Sequence, residues 1–183
     1  MVEVATGSPL TAVDPVRGAV SDPGAALGLV RVQVMGALAT RLSPVIGWEP
    51  VTTRPPTFES FQAYSRAMEE WIRGDFASSA EWCERAYVLD PTYLRALALA
   101  AAALANVGAY ERQDSLLHLL EPGRGDLSPF DRARVEFMHA ELRGESAAAL
   151  AAARRKVELS PVSTTRFALI WSLSASNRPH ESY

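Results

Sequence analysis

The chain has 183 residues, 48% of them apolar and 21% charged, and a formal net charge of −3. That length holds one domain with a buried core plus a flanking segment. The acidic balance argues against a nucleic-acid interface, which needs a concentrated basic surface, and the single cysteine, Cys83, excludes an internal disulfide or a thiolate metal cluster.

Residues 1–20 place Val2-Glu3-Val4 and Leu10-Thr11-Ala12-Val13 around Gly7-Ser8-Pro9, a pattern that predicts a short β-hairpin. Asp22-Pro23 then caps a helix over 23–42, with Leu27, Val30, Val34 and Leu38 supplying apolar surface. Residues 43–57 hold four prolines and read as an extended linker. From residue 58 onward the chain reads as paired helices, at 58–73 with 76–89, 92–107 with 109–121, and 129–143 with 146–159. Ser128-Pro129 is a cap followed by proline at the first helical position. A fourth pair begins near Thr164. Its first helix is expected to end at Asn177, with Pro179 opening a partner, and the pair is incomplete at Tyr183, so the sequence reads as cut from a longer array.

Internal spacing supports this division. Gly74 and Gly108 lie 34 residues apart, and Gly108 and Gly144 lie 36 apart. Pro91 and Pro161 are 70 apart, the same two steps together. Glycine ends the first helix of a pair in the left-handed conformation, and proline stops the second. The organisation is therefore residues 1–47 as hairpin plus helix, 48–57 as linker, and 58–183 as repeats at 58–91, 92–127, 128–161 and a partial 162–183. The fold class is all-α apart from the hairpin.

The stretch from Phe76 to Pro91 resembles the second half of a tetratricopeptide repeat, through Phe76, Ser79, Trp82, Ala86 and Pro91. Leu97, Ala101, Leu104, Gly108 and Tyr110 match the motif in the second pair, and Ala149, Val157, Leu159 and Pro161 in the third. Ser146 departs from the aromatic usual there, and Pro122-Gly123-Arg124-Gly125-Asp126 makes a longer exit loop. The resemblance covers about residues 58–178. It implies a right-handed α-solenoid whose inner face, lined by the first helix of each pair, holds a peptide or a partner helix. The front of the chain, with Pro55-Pro56-Thr57 before Phe58, also resembles bacterial signalling proteins in which a TolB-like region precedes such repeats, behind a kinase, cyclase or DNA-binding domain. That likeness implies a regulatory or ligand-sensing arm as the alternative role.

On this reading the inner face carries Tyr64, Met68, Trp71, Arg95, Arg134 and Met138, with Ala102 and Glu141 beside them. The arginines suit a carboxylate, and the aromatic and thioether groups suit an extended or helical ligand. The same spacing equally suits core packing for Trp71 and Met68 and solvation for the arginines, and the residues alone do not choose. Tetratricopeptide proteins that hold acidic chaperone tails place lysine and asparagine where Tyr64 and Met68 stand, so that ligand class is not expected.

No acid, base and nucleophile assemble from the motifs, and no phosphate loop, Rossmann glycine fingerprint or G-x-S-x-G is present. His118 and His139 lack metal-ligand neighbours at helical spacing. The expectation is a non-catalytic protein-binding scaffold without cofactor or metal. No secretory signal is recognisable and no apolar run is long enough to span a bilayer, so a cytoplasmic location and no membrane or nucleic-acid partner are expected.

Overall fold

A computed structural model describes residues 15–17, 21, 23–42, 55–161 and 163–175. Among these the regular structure is helical: α1 (Pro23–Leu42), α2 (Phe58–Arg73), α3 (Phe76–Leu89), α4 (Leu94–Asn106), α5 (Tyr110–Leu120), α6 (Pro129–Leu142), α7 (Ser146–Leu159) and α8 (Ser163–Ala175), with a 3-10 turn at Glu121–Asp126. The expected β-hairpin lies almost wholly outside the described residues, as do most of the linker, Asn177 and Pro179.

Each pair is joined in the same way. Gly74, Gly108 and Gly144 have φ of 82°, 72° and 68°, where a side chain is disfavoured. Around each glycine two backbone bonds recur. Gly74 N–H donates to Trp71 O and Asp75 N–H to Glu70 O, each at 3.0 Å. Gly108 and Ala109 repeat this to Ala105 and Leu104, and Gly144 and Glu145 to Glu141 and Ala140. Three Schellman turns thus satisfy the last carbonyls of α2, α4 and α6.

The N-termini use side chains. Thr57, Asp75 and Ser128 accept from the backbone N–H of Ser60, Ser78 and Asp131, which fills part of each helix's orphan donor set. Asp90 does more. After α3 the chain turns extended there, and the carboxylate accepts from Thr57 N–H at 2.9 Å, Thr92 N–H at 3.0 Å and the Thr92 hydroxyl at 2.6 Å. One side chain ties the end of α3 to the start of α2. This Asp90–Thr92 bonding occupies residues 91–93 as a turn, so α4 begins at Leu94 rather than at residue 92. The expected loop at 122–126 winds instead into the 3-10 turn directly after α5.

Each helix packs chiefly on its chain neighbours, α1 on α2, α2 on α3, α3 on α4, α4 on α5, α6 on α7 and α7 on α8, while α4 and α5 also touch α6. Alanine makes the close approach possible. Along α4, Ala96, Ala98, Ala100, Ala101 and Ala103 are all buried, so the helix is enclosed on every side. Two buried serines bridge α2 and α3: Ser60 Oγ donates to Ala86 O at 2.8 Å and Ser79 Oγ to Ala67 O at 2.9 Å. Gly36 lets α1 lie on the segment before α2, where a Cβ would run into the Pro56 carbonyl oxygen.

Candidate functional site

The structure places most of the expected inner-face side chains in the core. Tyr64 is fully buried, its ring edge-on to Tyr93 with centroids 5.2 Å apart. Met68 shares that core with Phe61, Ala67 and Cys83. Met138 is buried in the neighbouring core with Val135 and Leu117. Trp71 is half-buried and packs edge-on against Phe76 at 5.0 Å. Ala102 is half-buried and Glu141 is exposed. The expectation of an open groove lined by Tyr64, Met68, Arg95, Arg134 and Met138 is therefore corrected. These side chains are enclosed by their own and adjacent helices, and of the six only Trp71 keeps substantial surface.

Both arginines are buried rather than solvated. Arg95 Nε donates to Asp131 Oδ2 at 3.0 Å, with both side chains 1% exposed. Arg134 lies 3.5 Å from Asp131 Oδ1 and stacks its guanidinium 4.9 Å from the Phe130 ring centroid. Ser128 Oγ also donates a hydrogen bond to Asp131 Oδ2, at 2.7 Å. A carboxylate at this depth is stable only when paired and hydrogen-bonded. The repeat register carried the signal for this pairing. Asp131 stands 36 residues after Arg95, the same step as from Gly108 to Gly144. Phe61, Arg95, Asp131 and Thr165 form one ladder at steps of 34, 36 and 34 residues, and all four are buried.

Lys156 stands with Arg154 and Arg155 in the densest basic run, where the sequence suggests a solvated helix end; it is instead a further buried charge, only 9% exposed, with Nζ 4.5 Å from the Phe137 ring centroid. Its pKa is lowered to about 8, chiefly by burial and also by the nearby Arg134, with Glu141 opposing both. Glu141, though exposed, is partly desolvated by its neighbours, which raises its pKa against the pull of Lys156. Register again held the signal, because Lys156 is 70 residues after Ala86 and 36 after Leu120, and both of those are buried.

Two open clefts lie among the described residues. The larger, of about 520 Å³, lies between α5, the 3-10 turn, α6 and α7, and it is lined by His118, Glu121, Arg124, Glu136, His139, Arg143, Glu145 and Arg155 over a floor of alanines. Charges alternate along it. Arg124 reaches Glu136 at 3.2 Å and Glu121 at 3.7 Å, and His139 Nε2 lies 3.0 Å from Glu121 Oε1. A carboxylate only accepts, so that bond places the imidazole proton on Nε2. The smaller cleft, of about 380 Å³, opens beside Arg95 and Asp131, between Pro91–Tyr93 and the 3-10 turn.

No family model matches the chain, and no curated protein or solved structure matches it. Among the described residues no three His, Cys, Asp or Glu gather where they could hold a metal ion. No helix among them is long and apolar enough to cross a membrane. Cys83 is fully buried, where a thiol behaves as a small apolar group.

Proposed function

We propose that the chain is a non-catalytic helical-repeat scaffold of the tetratricopeptide type that binds a protein or peptide partner. The observation that carries this reading is the joint made three times: a helix, a left-handed glycine with the same two backbone bonds, and a second helix. Units that recur at 34 and 36 residues and pack on their chain neighbours stack into a right-handed α-solenoid, which offers extended surface rather than a closed reaction chamber.

The partner meets side chains that remain accessible. On the inner face these are Trp71 and Glu141; elsewhere they are the charged rim of the larger cleft. Arg143, Arg155 and Glu145 are exposed there, and their alternating signs suit a peptide carrying both charges. The buried arginines and methionines set the packing of the units.

The test is affinity capture with the full chain, wild type against a variant carrying Arg143→Glu and Arg155→Glu. Both positions are exposed, so helicity should not change. A partner retained by wild type, lost by the variant and weakened by salt supports the reading. Equal capture by both would remove the cleft from it, and a purified chain that turns over a substrate would remove the scaffold role altogether.

A further inference from the structure

The larger cleft lies between α5 and α7, the second helices of their pairs, over α6. One unit earlier the same place lies between α3 and α5, over α4. That earlier groove is closed. Leu104 and Leu116 pack there in one cluster with Ala80 of α3, and Arg112 of α5 reaches Glu84 of α3 at 2.7 Å. At the 36-residue step that links Gly108 to Gly144, Leu104, Arg112 and Leu116 become Ala140, Ala148 and Ala152. All three alanines line the cleft. The bulk and the cross-groove ion pair that fill the first groove are missing from the second.

The rim changes in the other direction. The same step takes the exposed apolar residues Val107 and Leu119 to Arg143 and Arg155. Both arginines are exposed and line the cleft. Among the described residues neither side chain pairs with a carboxylate. The other charges along the cleft are committed, Arg124 to Glu136 and Glu121, and His139 to Glu121. Glu145 is the remaining carboxylate, so the uncommitted charge is two cations to one anion. Arg143 ends α6 beside Gly144, where α7 starts, and Arg155 lies in the last turns of α7. The two cations therefore stand at opposite ends of the groove, roughly 15 Å apart along α7.

We infer that this cleft takes an internal acidic segment of the partner, in extended conformation, with the pattern acidic-x-apolar-x-acidic. The inference rests on the scaffold reading above and names the chemistry of its ligand. Residues i, i+2 and i+4 of an extended chain share one face, and the outer two lie about 14 Å apart. That span matches the separation of the arginines. Each carboxylate then meets a guanidinium, which can bind it through two N–H groups. The middle side chain falls on the alanine floor, in the space that Leu104 and Leu116 occupy one unit earlier. No chain terminus is needed, because both anions are side chains.

Fluorescence anisotropy with the full chain and a rhodamine-labelled peptide, Gly-Asp-Thr-Leu-Thr-Asp-Gly amide, tests this. Saturable binding is expected, and it should weaken as added salt shortens the screening length. Arg143→Gln and Arg155→Gln should each weaken it by about fivefold, the upper end for an exposed ion pair. Ala148→Leu, which refills the cleft without changing its charge, should weaken it as well. All three positions are exposed, so far-ultraviolet dichroism and Tm should match wild type. A peptide with lysine in place of both aspartates should not bind. No saturable binding, equal binding of the lysine peptide, or arginine variants that bind like wild type would each overturn the inference. If affinity capture still separates wild type from the Arg143→Glu, Arg155→Glu variant while the acidic peptide fails to bind, the acidic segment falls and the scaffold reading stands.

Discussion

Replacing Lys156 by methionine should stabilise the protein at neutral pH. The side chain shortens by one atom, stays unbranched and loses its charge. Burial holds the ammonium pKa at about 8 against an ordinary 10.5, a difference of about 3 kcal/mol between the charged and neutral forms. The folded pKa lies below the unfolded one, so the unfolded chain binds more protons between these values and stability climbs with pH across that window. The whole penalty is present below pH 8 and is relieved between pH 8 and about 10.5. The contact with Phe137 offsets part of it, by about 1 kcal/mol for a partly desolvated cation over a ring. Desolvation is the larger of the two. Lys156→Met should therefore gain about 2 kcal/mol at pH 7, or about 4–8 °C in Tm for a chain of this size. Thermal melts of both proteins from pH 6 to 10 provide the check, read as the difference between them so that other titrating groups cancel. The gap should be constant up to pH 8 and then narrow. A variant less stable than wild type at pH 7, or a gap that ignores pH, would refute the argument. Glu141 acts in a separate window: its raised pKa makes stability increase as pH falls through that pKa toward the ordinary carboxylate value.

Gly108→Ala should cost about 1–2 kcal/mol in urea titration; no atom lies within 4 Å of the added Cβ, so the cost is the left-handed backbone alone. An unchanged midpoint would contradict that assignment. Arg95→Met alone should lose about 3–5 kcal/mol, because Asp131 stays buried with its closest cationic partner gone. Arg95→Met with Asp131→Leu should recover most of this, and a double variant no better than the single would show that the pair adds net stability. Asp90→Ala should cost about 2 kcal/mol through its three hydrogen bonds, with faster amide exchange at Thr57 as the local sign.

The helices were legible because their punctuation is chemical. Glycine is needed where φ turns positive, and Pro129 and the capping residues announce starts. Placement of charge was not legible from helix periodicity, which marks Arg95, Arg134 and Lys156 as polar and therefore outward. Their burial follows from stacking, where one helix face is enclosed by the next unit as well as by its own partner. Reading across units at steps of 34 and 36 aligns Arg95 with Asp131 and Lys156 with Leu120 and Ala86, and that comparison holds what a single helix does not. Tyr64, Met68 and Met138 misled for the same reason. They were placed on a face taken to be open, and that face is closed by neighbours.

The Arg95–Asp131 pair also bears on how such an array can change by recombination. Glycine joints of one kind at 74, 108 and 144 would leave the turn geometry intact if a whole unit were lost, since any joint matches any other. The buried ladder does not permit that loss. Removing residues 92–127 would take Arg95 from Asp131, and removing 128–161 would take Asp131 from Arg95; either deletion breaks the buried pair and leaves one of its charges in the interior without the other. Interchangeable at the turns, the units are keyed to their order by what they bury.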